Sequence, residues 1–176
     1  WLRALQRSFP HWHAHIPATL KHAIALPHEV GAPALHLATS IRSFRAERLS
    51  DFVGEVIRGD AAAAKRISAQ LQDFPIKVTR DLDAARTWLR ARRRGGERMG
   101  LLASSNAARL KPHGIFIKSK IEPASWFLAS SADVRSSNAL EDAGTEFDVQ
   151  GLELDWACVC WDANFRRVAG QWQTLQ

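Results

Sequence analysis

Leu154-Asp-Trp-Ala-Cys-Val-Cys-Trp161 is a run whose even and odd positions are both largely apolar, and its reading decides the fold. A strand of that kind is expected to be buried on both faces, as in a parallel sheet covered by helices. Directly before it stands Thr145-Glu-Phe-Asp-Val-Gln-Gly-Leu-Glu153, a polar turn carrying Gly151. Ligands of α/β sheets collect at strand ends, and a glycine lets backbone approach them closely. Gly151 and its neighbour Glu153 therefore mark this turn as a candidate binding element.

Outward from this run, helix and strand patterns alternate. Leu35-His-Leu-Ala38 reads as a short strand, followed by a helix over Arg45 to Arg58. Leu49, Phe52, Val53, Val56 and Ile57 form its apolar stripe, and Gly59 can end it. Asp60 can cap a helix with Ala64, Ile67 and Leu71 on one face. Ile76 to Thr79 is expected as a strand. Thr79 or Asp81 then caps a helix that turns Leu82, Ala85, Trp88 and Leu89 inward, and Gly95-Gly96 stops it. Met99 to Ser104 reads as a strand, and Ile115 to Lys118 as a further extended piece. Between Glu122 and Ala143, Ser130, Ser131, Ser136, Ser137 and Asn138 suggest a mobile excursion. The last strand is expected to end at Asp162. Residues 1–34, punctuated by Pro10, Pro17, Pro27 and Pro33, read as a connector with one short helix near Ala18 to Ala25. Strands separated by helices of this length predict an α/β domain with a mainly parallel sheet flanked by helices.

At 176 residues and 46% hydrophobic, the chain can bury a sizeable core. It carries neither a secretory leader pattern nor an apolar run long enough for a bilayer, so no membrane partner is expected. The first residue is Trp1, which suggests a longer parent protein. Cys158 and Cys160 lie two apart on one strand face, badly placed for a disulfide with each other. They read as reduced core thiols, which points to the cytoplasm. No metal site is expected, although His11, His13 and His15 alternate near the start. The formal charge of +6, from 24 basic and 18 acidic residues, favours an anionic partner. Arg90, Arg92, Arg93, Arg94 and Arg98, with Lys111, Lys118 and Lys120, are either a phosphate-facing patch or a solvated helix end.

The order Thr-x-x-x-x-Gln-Gly-x-Glu at Thr145 to Glu153 resembles motif V of superfamily-one helicases. More narrowly, the chain resembles the Schlafen-like DNA/RNA helicase family. Ser40-Ile-Arg-Ser-Phe-Arg-Ala-Glu47, Phe74-Pro-Ile-Lys-Val-Thr-Arg-Asp-Leu-Asp-Ala-Ala-Arg86 and Glu146-Phe-Asp-Val-Gln-Gly-Leu-Glu-Leu-Asp-Trp156 carry the likeness, which runs from about Leu35 to Trp172. It departs at Phe147, where many relatives place a His. The resemblance implies a RecA-like second helicase domain over residues 35–176, incomplete at its C-terminus. Its partner would be a missing N-terminal P-loop domain that binds most of the ATP and Mg²⁺.

Leu37-Ala-Thr-Ser-Ile-Arg-Ser43 resembles motif IV, whose arginine crosses the interdomain cleft to the γ-phosphate. That role falls to Arg42. A guanidinium suits it, since it stays charged and neutralises charge developing in the transition state. By the same resemblance, Gln150, Gly151 and Glu153 approach the nucleotide, Glu153 accepting from ribose hydroxyls. Thr145 faces the nucleic-acid backbone. The strand Met99 to Ser104 with Ser105-Asn-Ala-Ala-Arg109 resembles motif IVa, in which Ser104, Ser105 and Asn106 would donate to phosphates of DNA or RNA. Residue by residue, the plainer alternatives are a surface arginine, a turn-capping carboxylate and an ordinary polar turn.

No Gly-x-x-x-x-Gly-Lys-Ser/Thr occurs in the chain, so alone it is expected to be inactive towards ATP. The leading expectation is the C-terminal half of an ATP-dependent DNA/RNA helicase or translocase. The alternative is a stand-alone nucleic-acid-binding or interaction domain. A nuclease ranks last, because Glu153 and Asp155 share a strand face without a nearby Lys.

Overall fold

Side chains of Asp60, Asp81 and Glu122 cap the starts of three helices in the computed structural model, which describes residues 2–18, 28–36, 47–71, 74–117 and 120–175. The chain divides into two units, Trp1–Pro75 and Ile76–Gln176.

In the first unit, helix α1 (Leu2–Ser8) precedes two short strands, β1 (Ala14–Pro17) and β2 (Glu29–Ala32). These pair in parallel, with Ala14 opposite Glu29 and Pro17 opposite Ala32. Residues 1–34 thus hold a helix and a strand pair where the proline spacing suggests a connector. Most of the helix expected near Ala18 to Ala25 falls outside the described residues. Leu35 closes a 3-10 turn, Pro33–Leu35, and Leu37 and Ala38 of the strand expected there lie outside the described residues. Helix α2 (Glu47–Arg58) is followed by α3 (Ala61–Ser68), which packs on it. Asp60 caps α3 as its position predicts, its Oδ1 accepting from the Ala63 N–H at 2.8 Å. Val53 and Ile57 of the α2 stripe are about half exposed.

In the second unit, Ile76 to Thr79 forms no strand and joins no described sheet, and Val78 is 93% exposed. β-branched residues favour strands only where they pack, and nothing packs on Val78. Asp81 caps α4 (Leu82–Arg92), accepting from the N–H groups of Asp83 and Ala84. Strand β3 (Met99–Ala103) lies at the centre of a three-stranded parallel sheet, between β4 (Ala143–Gly144) and β5 (Trp156–Cys160). One sheet face carries Met99, Leu101 and Ala103, packed with Leu89 of α4. Trp156 lies beside Met99 on that face and meets Trp88 edge-on at 5.6 Å.

The opposite face is built on absent side chains. Gly100 and Gly144 leave room for Trp126 of α5 (Pro123–Leu128), whose ring lies 3.1 Å and 3.4 Å from where their β-carbons would stand. Trp126 is 1% exposed. This layer covers β3 and β4 but not β5. The expectation of a strand buried on both faces is therefore corrected: Trp156, Cys158 and Cys160 are half-buried, while Ala157 and Val159 are exposed. The strand also ends at Cys160, two residues short of Asp162.

The expected mobile excursion is likewise ordered. Ser136, Ser137 and Asn138 are buried, and Asn138 Oδ1 accepts from the Met99 N–H at 3.0 Å. Asn138→Ala leaves that buried donor without its partner, so a loss of roughly 1–3 kcal/mol is expected in urea denaturation. Unchanged stability would mean that the bond contributes nothing. The Ile115–Lys118 stretch forms no strand over its described residues, although Ile115 is buried. After β5 comes an antiparallel hairpin of β6 (Phe165–Val168) and β7 (Gln171–Thr174). Small parallel sheets with flanking helices fit the α/β class, though as separate short sheets and not one continuous sheet.

Candidate nucleic-acid interface

The carboxyl ends of β3, β4 and β5 bring polar residues from three loops together. Leaving β3, the chain turns at Ser104-Ser105-Asn106, and the Ser104 hydroxyl accepts from the Asn106 N–H at 3.3 Å and from Asn164 Nδ2 at 3.4 Å. Asn164 belongs to the loop after β5, so one hydroxyl ties two strand ends together. The third end is tied by Glu146, just beyond β4, which accepts from the Ser105 N–H at 2.8 Å and from the Ser105 hydroxyl at 2.7 Å. Desolvation opposes ionisation of Glu146, but these bonds outweigh it and hold the carboxyl below its usual range.

Thr145 is buried, and its N–H and hydroxyl both donate to Asp148 Oδ2, at 2.9 Å and 2.6 Å. The Asp148 and Val149 N–H groups bond back to the Thr145 carbonyl. This reciprocal arrangement has the logic of a capping box and fixes the turn. It leaves Phe147 68% exposed at the same edge. On the β5 side, buried Asp162 accepts from the Ala163 N–H and pairs with Arg109 Nη1 at 3.9 Å. The Arg109 side chain is about half exposed.

Not all the sequence candidates meet here. After the Thr145 turn the chain runs back over the sheet: Val149 lies against Gly144, Leu154 against Gly100, and Asp155 Oδ2 accepts from the Arg98 N–H ahead of β3. Gln150 and Gly151, the latter at φ +83°, sit in the exposed part of that turn. Glu153 is exposed, two residues before Asp155, whose carboxylate meets Arg98 just ahead of β3. Arg42 lies outside the described residues. Glu146, Asp162 and Asn164 join the cluster without having been named as contacts from the sequence, and Arg109, the end of the motif IVa stretch, joins it with them. The Thr145 to Asp148 spacing, a hydroxyl three residues before a carboxylate, was the signal for the bonds that fix this turn.

Two other groups of candidates stay separate from this edge. Cys158 and Cys160 are free, with sulfurs 3.9 Å apart. The hydrogen bond from Cys160 draws Cys158 down to about 7 against its desolvation, with Arg86 helping, while the same bond and burial push Cys160 up. Among the described residues no three or more His, Cys, Asp or Glu side chains come together so as to hold a metal ion. No helix among them is long and apolar enough to cross a membrane.

No match is found among curated proteins or solved structures. A family model does match: Schlafen group 3, DNA/RNA helicase domain, over residues 1–176. The match takes in the first 34 residues, which the sequence resemblance did not reach. With every residue inside it, including the three strand ends that gather Ser104, Glu146 and Asp162, the chain belongs to the Schlafen group 3 DNA/RNA helicase domain family.

Proposed function

We propose that the chain is the RecA-like C-terminal half of an ATP-dependent DNA/RNA helicase or translocase, and that the carboxyl edge of its sheet faces the nucleic-acid strand. The observation that carries this reading is the convergence of Ser104, Ser105, Asn106, Arg109 and the Thr145 turn at that edge. Open α/β sheets bind ligands outside the carboxyl ends of their strands. The geometry also divides the labour. Glu146 holds both Ser105 donors, and the Ser104 hydroxyl bridges two loops, so these serines shape the turn. The exposed Asn106 and Arg109 present donors outward for phosphate oxygens.

The donors for Mg²⁺ and the phosphate cradle do not fit these residues, given the absent P-loop sequence and the lack of a metal-holding cluster among the described ones. On this reading another part of a cytoplasmic protein holds ATP, and this half adds Arg42 at the γ-phosphate with Gln150, Gly151 and Glu153 near the nucleotide. The missing P-loop equally favours a second reading, a nucleic-acid-binding domain without motor activity.

Both readings require phosphate binding by this chain, and salt titration measures it. Anisotropy of a labelled single-stranded oligonucleotide should show affinity falling steeply with salt, with a log–log slope of about −0.7 per phosphate neutralised. Arg109→Gln should make that slope shallower by about one such contact while leaving the fold intact. Absence of binding at low salt, or a slope indifferent to Arg109, would move the cluster to a purely architectural role.

A further inference from the structure

The hairpin after β5 carries an aromatic stack that the edge cluster does not explain. Its turn is formed by Ala169 and Gly170 at φ 49° and 80°, the pair of positive angles of a type I′ turn, which holds two strands in tight register. That register sets Arg167 opposite Trp172 and, by strand alternation, puts Phe165 on the same face. The Phe165 and Trp172 rings stack at 4.5 Å with 7° between their planes. Trp161 continues the group, 5.9 Å from Phe165 and 6.1 Å from Trp172, tilted by 29° and 32°. Its indole N–H donates to the Phe165 carbonyl at 2.6 Å, which fixes the ring's orientation.

Despite these contacts Trp161 remains 56% exposed. A large ring held rigid yet open to solvent is preorganised to take another flat ring. The charge around it favours an anion: Arg166 and Arg167 are exposed on β6, and residues 163–176 contain no acidic side chain. Asp162, directly after Trp161, leads to Arg109 at the carboxyl edge. Rings that stack combined with cations that meet phosphates are the means by which single strands are bound without sequence preference.

We propose that Trp161, backed by Phe165 and Trp172, is a stacking platform for an unpaired base of single-stranded nucleic acid, with the exposed Arg167, on the same face of the hairpin, meeting a flanking phosphate. A base within a duplex has both faces covered, so the platform selects an unpaired strand. This rests on the reading of the carboxyl edge as the nucleic-acid side, and adds to it the base contact and the strandedness.

The test compares three labelled ligands of equal length with the full chain: oligothymidylate, an abasic oligomer with the same phosphates, and a duplex. Wild-type protein should prefer oligothymidylate over both others. Trp161→Ala should weaken oligothymidylate binding about 5- to 100-fold and leave the abasic oligomer nearly unchanged, with the same salt slope. Trp161→Phe should keep most of the affinity. Equal wild-type binding to oligothymidylate and the abasic oligomer, with a normal salt slope, overturns the platform but leaves phosphate binding standing. That comparison needs no variant, so it decides the matter even if Trp161→Ala does not fold. A loss that is the same for both single-stranded ligands makes the stack a small core for the hairpin and also overturns the platform. No binding of any ligand at low salt overturns the platform together with the reading beneath it.

Discussion

Trp126→Ala is expected to destabilise the second unit by roughly 3–5 kcal/mol, the range for removing a buried aromatic side chain. The ring is almost wholly enclosed, rests where Gly100 and Gly144 leave room, and donates its indole N–H to the Asp142 carbonyl at 3.2 Å. The two glycines beneath it have no side chain to fill the space, which leaves only Leu154 and Val149, already seated against them, to relax into it. Set against a typical domain stability of about 5–15 kcal/mol, the substitution removes a large share. Trp126→Phe keeps much of the packing and forfeits the hydrogen bond, so it should fall well short of the alanine variant. Denaturation followed by far-UV circular dichroism measures both. Near-equal stability of wild type and Trp126→Ala would refute the account of this layer.

The second large effect concerns turnover. On the proposed helicase reading, in a protein that joins this chain to a P-loop domain, Arg42→Ala is expected to lower ATP hydrolysis by about a thousandfold or more, as loss of an arginine finger does. The expectation stems from the Leu37 to Ser43 resemblance. Arg42→Lys should rescue little, since an ammonium lacks the planar fork that spans two phosphate oxygens. Melting temperature should barely move in either variant. Wild-type turnover in Arg42→Ala would remove the finger, and a collapse of stability would make Arg42 a structural residue.

Local chemistry was legible wherever the partner lay close in sequence. Asp60 and Asp81 cap helices because the N–H groups they accept from lie two or three residues on. Positions that depend on distant partners were not legible. Val78 has a strand former's side chain, yet it is left 93% exposed and pairs in none of the described sheets. Ser136 to Asn138 look like solvated loop, but the partner of Asn138 is a backbone N–H 39 residues upstream, so polarity there signals a buried hydrogen bond. In β5 the apolar residues on both faces suggested full burial, while the covering layers reach only one of them. The turn at Thr145 was found from its sequence order. Its tie to Ser105 runs through Glu146, 41 residues away from that serine, and no local pattern encodes such a distance.

The central position of β3 also sets a timetable for synthesis. Arg98, at its start, meets Asp155 only 57 residues later in the chain. At about 5–20 residues per second, a ribosome needs roughly 3–11 seconds to supply that partner. Throughout this interval the β5 edge of the apolar Met99-Gly-Leu-Leu-Ala103 strand stays open, the form in which nascent chains stick to one another. Products truncated before β5 are therefore the ones to watch for clumping, and slow translation of the intervening segment lengthens the exposure.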